Sequence, residues 1–295
     1  MIPQMILGGA MFSFDKLNRW LTRPDKVPFV ADMMATRWMY EALIVNQFVN
    51  NDFEIKFFDI EQKESYYNFK QVYYLPKLKD KLTFISDNFL TKDAEERKKV
   101  DNDIALLRHE LGLLVKDTLL KVKCYGYKQW TTGKITFDLI NQTNEYLDKL
   151  TDFVSEKFLT VSNQKEKLLQ YILSTQKELY YQKKDDYYNE SIADLVKKVF
   201  EKNKIIQYKH RLVQQVDPIY QIPVIEGYFD YRTQFYAHVK YFMGRFYNTF
   251  NFNIFVVWIM TAFLYIILYF NLLKKVLNVP LLVQQFLKKT YYEET

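Results

Sequence analysis

The chain of 295 residues carries 26% charged and 18% aromatic side chains and a net charge of +6, which excludes a disordered chain, since such a chain would lack the aromatics. Its Lys residues alternate with Asp and Glu through the middle, so no clustered basic face points to nucleic acid. A lone Cys124 excludes an internal disulfide and a cysteine-based zinc site, and seven glycines and seven prolines argue for long helices rather than phosphate-cradling Rossmann or P-loop turns.

Residues 1–14, MIPQMILGGAMFSF, are apolar but lack a basic n-region and a small-residue cleavage site, so they do not read as a signal peptide. They are too short to cross a bilayer alone and are expected to be the outer end of a membrane helix. Residues 15–53 then run through a polar connection into FVADMMATRWMYEALIVNQFVNNDFE, where Phe29, Met33, Trp38, Ala42, Val45 and Val49 follow helical spacing. Tyr40, Leu43 and Ile44 widen the apolar face until it nearly wraps the helix, although Arg37, Glu41 and Asn46 lie within it.

Gly8-Gly9, then Trp20 and Pro24, then Ala35 to Phe48 with Tyr40-Glu41-Ala42-Leu43 followed by Asn46-Gln47-Phe48, form a specific pattern. It resembles the permease half of type-2 ABC exporters of the White-like G subfamily. There an apolar glycine-containing helix end leads through a Pro- and Trp-containing loop into re-entrant helices. The resemblance covers the N-terminal sixth and the closing membrane helix; Ala35-Thr36 stands where the family has Ser-Pro, and the external region is much longer than in eukaryotic relatives. It implies a fragment of an all-α membrane protein with re-entrant helices, a large external helical domain and one C-terminal transmembrane helix. It also implies an outer gate at Trp38, Tyr40, Glu41, Asn46 and Phe48, working by alternating access. A second transporter half, the remaining membrane helices and an ABC ATPase would be its partners. ATP and Mg²⁺ would then belong to a nucleotide-binding domain outside this chain, which itself is expected to have no enzyme activity.

Residues 54–226 read as the external helical domain. Val100, Ile104, Leu107, Leu111, Leu114 and Thr118 make a heptad-like seam, with Asp93 and Glu96 placed as a capping box. Further stripes follow at Ile140 to Phe158, Leu168 to Tyr180 and Ile192 to Phe200, and packing them together would need no sheet. Loops are expected at 124–134 and, around Pro218 and Pro223, at 217–227.

In residues 227–250, Tyr228, Tyr231, Phe235, Val239, Phe242 and Phe246 recur at three and four, with Arg232, Lys240 and Arg245 elsewhere on the wheel. The pattern predicts an interfacial amphipathic helix. Residues 251–273 hold the transmembrane helix: Ile254 to Phe270 is a run of seventeen residues without a charge, and roughly 20 residues cross a hydrocarbon core. Trp258 and Tyr269 are placed as interfacial anchors, and Lys274 and Lys275 follow as a stop-transfer pair. Lys288 and Lys289 add to the basic tail 274–295, which is therefore expected to be cytoplasmic, with residues 15–250 mainly external.

Catalytic patterns fail on spacing. His109-Glu110 is followed by Leu113 where a zinc protease needs its second histidine; His210 and His238 have no ligand spacing; and Ile135 stands where a phosphate loop needs Ser or Thr. The competing reading is a single-span scaffold or accessory subunit whose external domain binds a partner. A soluble enzyme is the weakest option.

Overall fold

The computed structural model describes residues 4, 7–10, 14, 23–120 and 126–272. Trp20, Cys124, Lys274, Lys275, Lys288 and Lys289 lie outside them. Past position 23 the chain forms α1 (Phe29–Asp32) and α2 (Ala35–Val49), separated where Met34 is extended. α2 buries Arg37, Trp38, Glu41, Ala42, Val45 and Phe48, the three-and-four spacing that puts side chains on one face.

A long rod follows, α3 (Phe58–Phe69) continuing through a π-helical turn (Lys70–Tyr74) into α4 (Leu75–Asn88). Pro76 explains the wide turn, because it offers no N–H to the preceding turn and its ring crowds the carbonyl four residues back. The 89–93 connection then folds α5 (Ala94–Lys116) back against α4. Asp93 caps α5 by accepting from the Glu95 N–H, while the Glu96 carboxylate takes the Thr91 hydroxyl, so the expected reciprocal capping box is replaced by a Thr91 bridge.

The second and third predicted stripes lie on α6 (Phe137–Tyr187), which consists of two helical segments. Gln176 interrupts it with non-helical dihedrals (φ −142°, ψ 42°). The main core joins Leu75, Leu78, Leu82 and Ile85 of α4, Val100 to Leu114 of α5, and Leu147, Leu150 and Val154 of α6. α7 (Glu190–Lys197) is capped by Asn189, which accepts from the Ile192 N–H.

The described residues are mostly helical, yet two small antiparallel hairpins among them depart from the all-α reading. β1 (Ile205–Tyr208) pairs with β2 (Arg211–Gln214), and the buried Glu110 carboxylate fastens β2 to the bundle by accepting from the Leu212 N–H at 2.8 Å. β3 (Val239–Phe242) pairs with β4 (Arg245–Asn248), Val239 opposite Asn248 and Phe242 opposite Arg245. The predicted interfacial helix over 227–250 is thus a turn-rich segment and a hairpin. The aromatic and β-branched residues there favour a pleated surface, and Gly244, at φ +84°, supplies the tight turn a helix would not need.

α8 (Thr249–Tyr269) follows β4 directly, about 31 Å long and with only its first turns buried, at Thr249, Phe252 and Asn253. A second core gathers Val45 and Phe48 of α2, Phe58 of α3, Ala193 and Val196 of α7, and Ile219, Tyr220, Phe235 and Tyr236. Because that core takes side chains from both sides of position 54, the external region and the α1–α2 segment fold as one packed unit.

Candidate functional site

Around the foot of α8 lies a charged centre shut away from solvent. Glu41 projects from the buried face of α2 and is fully covered; Lys240 comes from β3, also fully covered, and its ammonium stands 2.8 Å from Glu41 Oε1. Lys240 also donates to Thr233 Oγ1 at 2.9 Å. The other carboxylate oxygen accepts from Asn253 Nδ2 at 2.9 Å, while Oε1 also takes the Tyr236 N–H at 3.2 Å. Asn253 further donates to the Trp38 carbonyl at 3.0 Å. One glutamate therefore ties together α2, the strap that precedes β3, β3 itself and the first turns of α8.

Arg37, one turn before Glu41, supplies a second cation. Its guanidinium lies 4.0 Å over the Trp38 ring, 3.4 Å from Glu41 and 3.7 Å from Asp32. Among the described residues its Nε has no hydrogen-bond partner, and neither does Asn253 Oδ1. Burial alone would raise the Glu41 carboxyl, but Arg37 and Lys240 hold it below its ordinary value. Burial brings the Lys240 ammonium down to about 8, against the pull of Glu41 and helped by Arg37, the competing cation. The centre is an ion pair with a surplus arginine held between two carboxylates, suited to locking elements together and to re-pairing when they shift.

The sequence-derived gate residues do not all meet here. Trp38 belongs to the centre's wall and donates from Nε1 to the Asp32 carbonyl at 2.8 Å. Tyr40 is half-buried on the next face, its ring 6.3 Å from Phe235 and 6.4 Å from Tyr236. Phe48 is buried farther along, against Tyr220. Asn46 lies away from Glu41 and accepts from Asn50 Nδ2 at 2.7 Å.

Sequence reasoning missed Lys240 and Asn253 as members of the centre. Lys240 looked like the polar face of a helix, and strand alternation between Val239 and Tyr241 would have turned it outward, so no local signal marked it as buried. Trp258 and Tyr269 are both exposed on α8, Trp258 five residues past the last buried position and Tyr269 at the helix end. Thr261 satisfies itself by donating to the Val257 carbonyl.

Glu110 and His238, two other buried titratable groups, have structural employment. Glu110 accepts from Tyr74 Oη at 2.6 Å besides Leu212, and His238 pairs with Gln62 at 3.1 Å beside the Phe58 ring. Among the described residues no three His, Cys, Asp or Glu side chains gather as a metal site. No protein-family model matches the chain, and neither a curated protein nor a solved structure does.

Proposed function

We propose that this chain is the outer, permease part of an ATP-driven ABC exporter, with α1–α2 beside the outer end of the translocation path and α8 as the closing membrane helix. The observation that carries the reading is the hydrogen bond that Asn253 of α8 donates to Glu41 of α2 within a fully buried centre. A helix that rocks in the membrane moves its foot, and a fully buried ion pair passes that movement to α2 rather than absorbing it. Arg37, poised between Asp32 and Glu41 without ideal geometry to either, gives the joint a second pairing to fall into, the bistable element that alternating access requires. The uncovered apolar length of α8 is consistent with lipid and further membrane helices as its neighbours, and the Tyr40-Glu41-Ala42-Leu43 to Phe48 pattern adds the family resemblance. ATP hydrolysis would be the work of the ATPase domain, with a second transporter half completing the pathway.

The test joins sequence to biochemistry. An open frame or adjoining gene upstream of the Met1 codon should encode further membrane helices, a Walker A GxxxxGK[ST] and an ABC signature. The chain, tagged and extracted from its native membrane in mild detergent, should bring vanadate-sensitive ATPase activity with it. Extraction of a pure chain free of ATPase, together with no such gene upstream, would remove the exporter and leave the single-span scaffold.

A further inference from the structure

The β3–β4 hairpin sits at the mouth of α8, and its chemistry differs from that of an ordinary water-facing turn. Asn248, the last residue of β4, caps α8 by accepting from the Phe250 N–H at 2.9 Å, so no linker separates hairpin from helix. The hairpin folds along the helix: the Phe242 and Tyr247 rings lie 5.9 and 6.4 Å from Phe252 in the first turns of α8. Its tip, one residue beyond Phe242, therefore lies beside the foot of α8. Tyr228 and Phe229 are strapped to the same tip, since the Met243 N–H donates to the Tyr228 carbonyl at 2.9 Å and Phe229 packs on Phe242. Four apolar or aromatic side chains stand out together: Tyr228 is 57% exposed, Phe229 63%, Met243 48% and Phe246 48%.

The turn adds an independent sign. Met243 and Gly244 both have positive φ, 48° and 84°, the mirror-image two-residue turn that favours Asn-Gly or Asp-Gly. A methionine is disfavoured in the left-handed region, and in water it gains nothing for its side chain. The β1–β2 hairpin also holds a non-glycine residue in this region, Lys209 at φ 54°, but both residues of its tip, Lys209 and His210, are polar. An apolar residue in so unfavourable a place is accounted for if the tip leaves water.

We infer that Tyr228, Phe229, Met243 and Phe246 form a collar that enters the headgroup layer of the bilayer leaflet pierced by α8. Tyr and Phe rings settle at that level, where one end is apolar and the other wet, and Arg245 at the same tip can reach lipid phosphates. The inference is independent of the exporter reading and requires only that α8 crosses a bilayer.

The experiment uses the full chain, with Cys124→Ser, reconstituted in phosphatidylcholine and phosphatidylglycerol vesicles. Nitroxide labels are placed singly at Met243→Cys, Phe246→Cys, Leu264→Cys in α8 and Phe200→Cys, 83% exposed just past α7. Collisions with oxygen report lipid, and collisions with a water-soluble nickel chelate report water. Labels at 243 and 246 are expected to favour oxygen, at a depth of about 5–10 Å, shallower than 264, while 200 favours nickel. Nickel access at 243 and 246 equal to that at 200 would overturn the collar. So would shielding from both reagents, which means a protein partner covers the tip. If 264 also collides with nickel, α8 is not in lipid, and the collar falls with it.

Discussion

Two ionic centres in this molecule use the same ingredients in opposite surroundings. At the foot of α8, Glu41 meets Lys240, Arg37 and Asn253 with no exposure to water. At the edge of the β1–β2 hairpin, Glu226 meets Lys26 and Arg211, each at 2.8 Å, and Arg23 at 3.4 Å, with a third of its side chain in solvent. Both glutamates have short, multiple contacts, so a contact list alone would rank them together. Burial separates them: a buried charge left alone has no water to turn to, whereas an exposed one exchanges its partner for solvent.

The sharpest way to break that comparison is Glu41→Ala. It leaves the buried Lys240 ammonium with the Thr233 hydroxyl but no adjoining carboxylate, and the expected loss is about 3–5 kcal/mol in a denaturation curve recorded in detergent. A double change, Glu41→Leu with Lys240→Met, removes both charges and lets Arg37 keep Asp32, so most of that loss should return. If the double variant is as weak as the single one, the centre matters for its shape rather than for its charge.

The middle case is Glu54, buried beside Glu61 and faced also by Lys165, Lys197, Tyr180 and Tyr188. Glu61 is well served, with Lys165 at 3.0 Å, Lys197 at 3.4 Å and the Tyr220 hydroxyl at 2.5 Å, and those contacts hold its carboxyl below the ordinary value against burial. Glu54 Oε2 has no such partner, and burial, then Glu61, pushes its carboxyl up to about 7. The folded state thus binds this proton more tightly than the unfolded chain, so the contribution is favourable below the ordinary value of 4.5 and is lost as pH rises to about 7. Phe53 and Phe57, on either side of the segment, hold Tyr180 of α6 beyond the Gln176 break. Amide exchange in residues 177–187 should therefore be slower at pH 6 than at pH 8 after correction for intrinsic rates. Glu54→Gln should flatten the difference, a stabilisation at pH 8 of about 1 kcal/mol. Unchanged exchange across that range would mean that water reaches Glu54.

How much of this was legible depends on which residues carried the information locally. The α5 seam of Val100, Ile104, Leu107, Leu111 and Leu114 is buried as its periodicity demanded, and the uncharged run after Ile254 is the uncovered part of α8. Glu41 stood out because a carboxylate on a nearly all-apolar helix must find partners. Its partners did not stand out: Lys240 and Asn253 are about two hundred residues away, and nothing in the sequence between them fixes that pairing. The stretch from Tyr228 to Phe246 failed for a different reason. Its three-and-four spacing of aromatics matches a helix, but Val239, Tyr241, Phe242 and Tyr247 also suit a strand, and the tertiary pull of Lys240 towards Glu41 settles which is used. The Gln176 break in α6 had no glycine or proline to announce it.

The smallest expected effect completes the contrast. Burial raises the Glu226 carboxyl, but Lys26, Arg211 and Arg23 together outweigh it and bring the group down to about 2. Its stabilising contribution is thus present above the ordinary value of 4.5 and lost as pH falls towards 2. A third of its side chain still sees solvent, which screens these contacts, so Glu226→Ala should cost no more than about 1 kcal/mol at neutral pH. Lys26 is buried but keeps Asp230, whose two oxygens accept from its ammonium at 3.0 and 2.8 Å, so no naked charge is left behind. Raising the ionic strength from 0.01 to 1 M shortens the screening length from about 30 to 3 Å and should erase much of the Glu226 effect while leaving that of Glu41 nearly intact. A Glu226→Ala loss as large and as salt-resistant as that of Glu41→Ala would mean that the exposed network is dry in the working protein, covered there by a surface this chain does not itself provide.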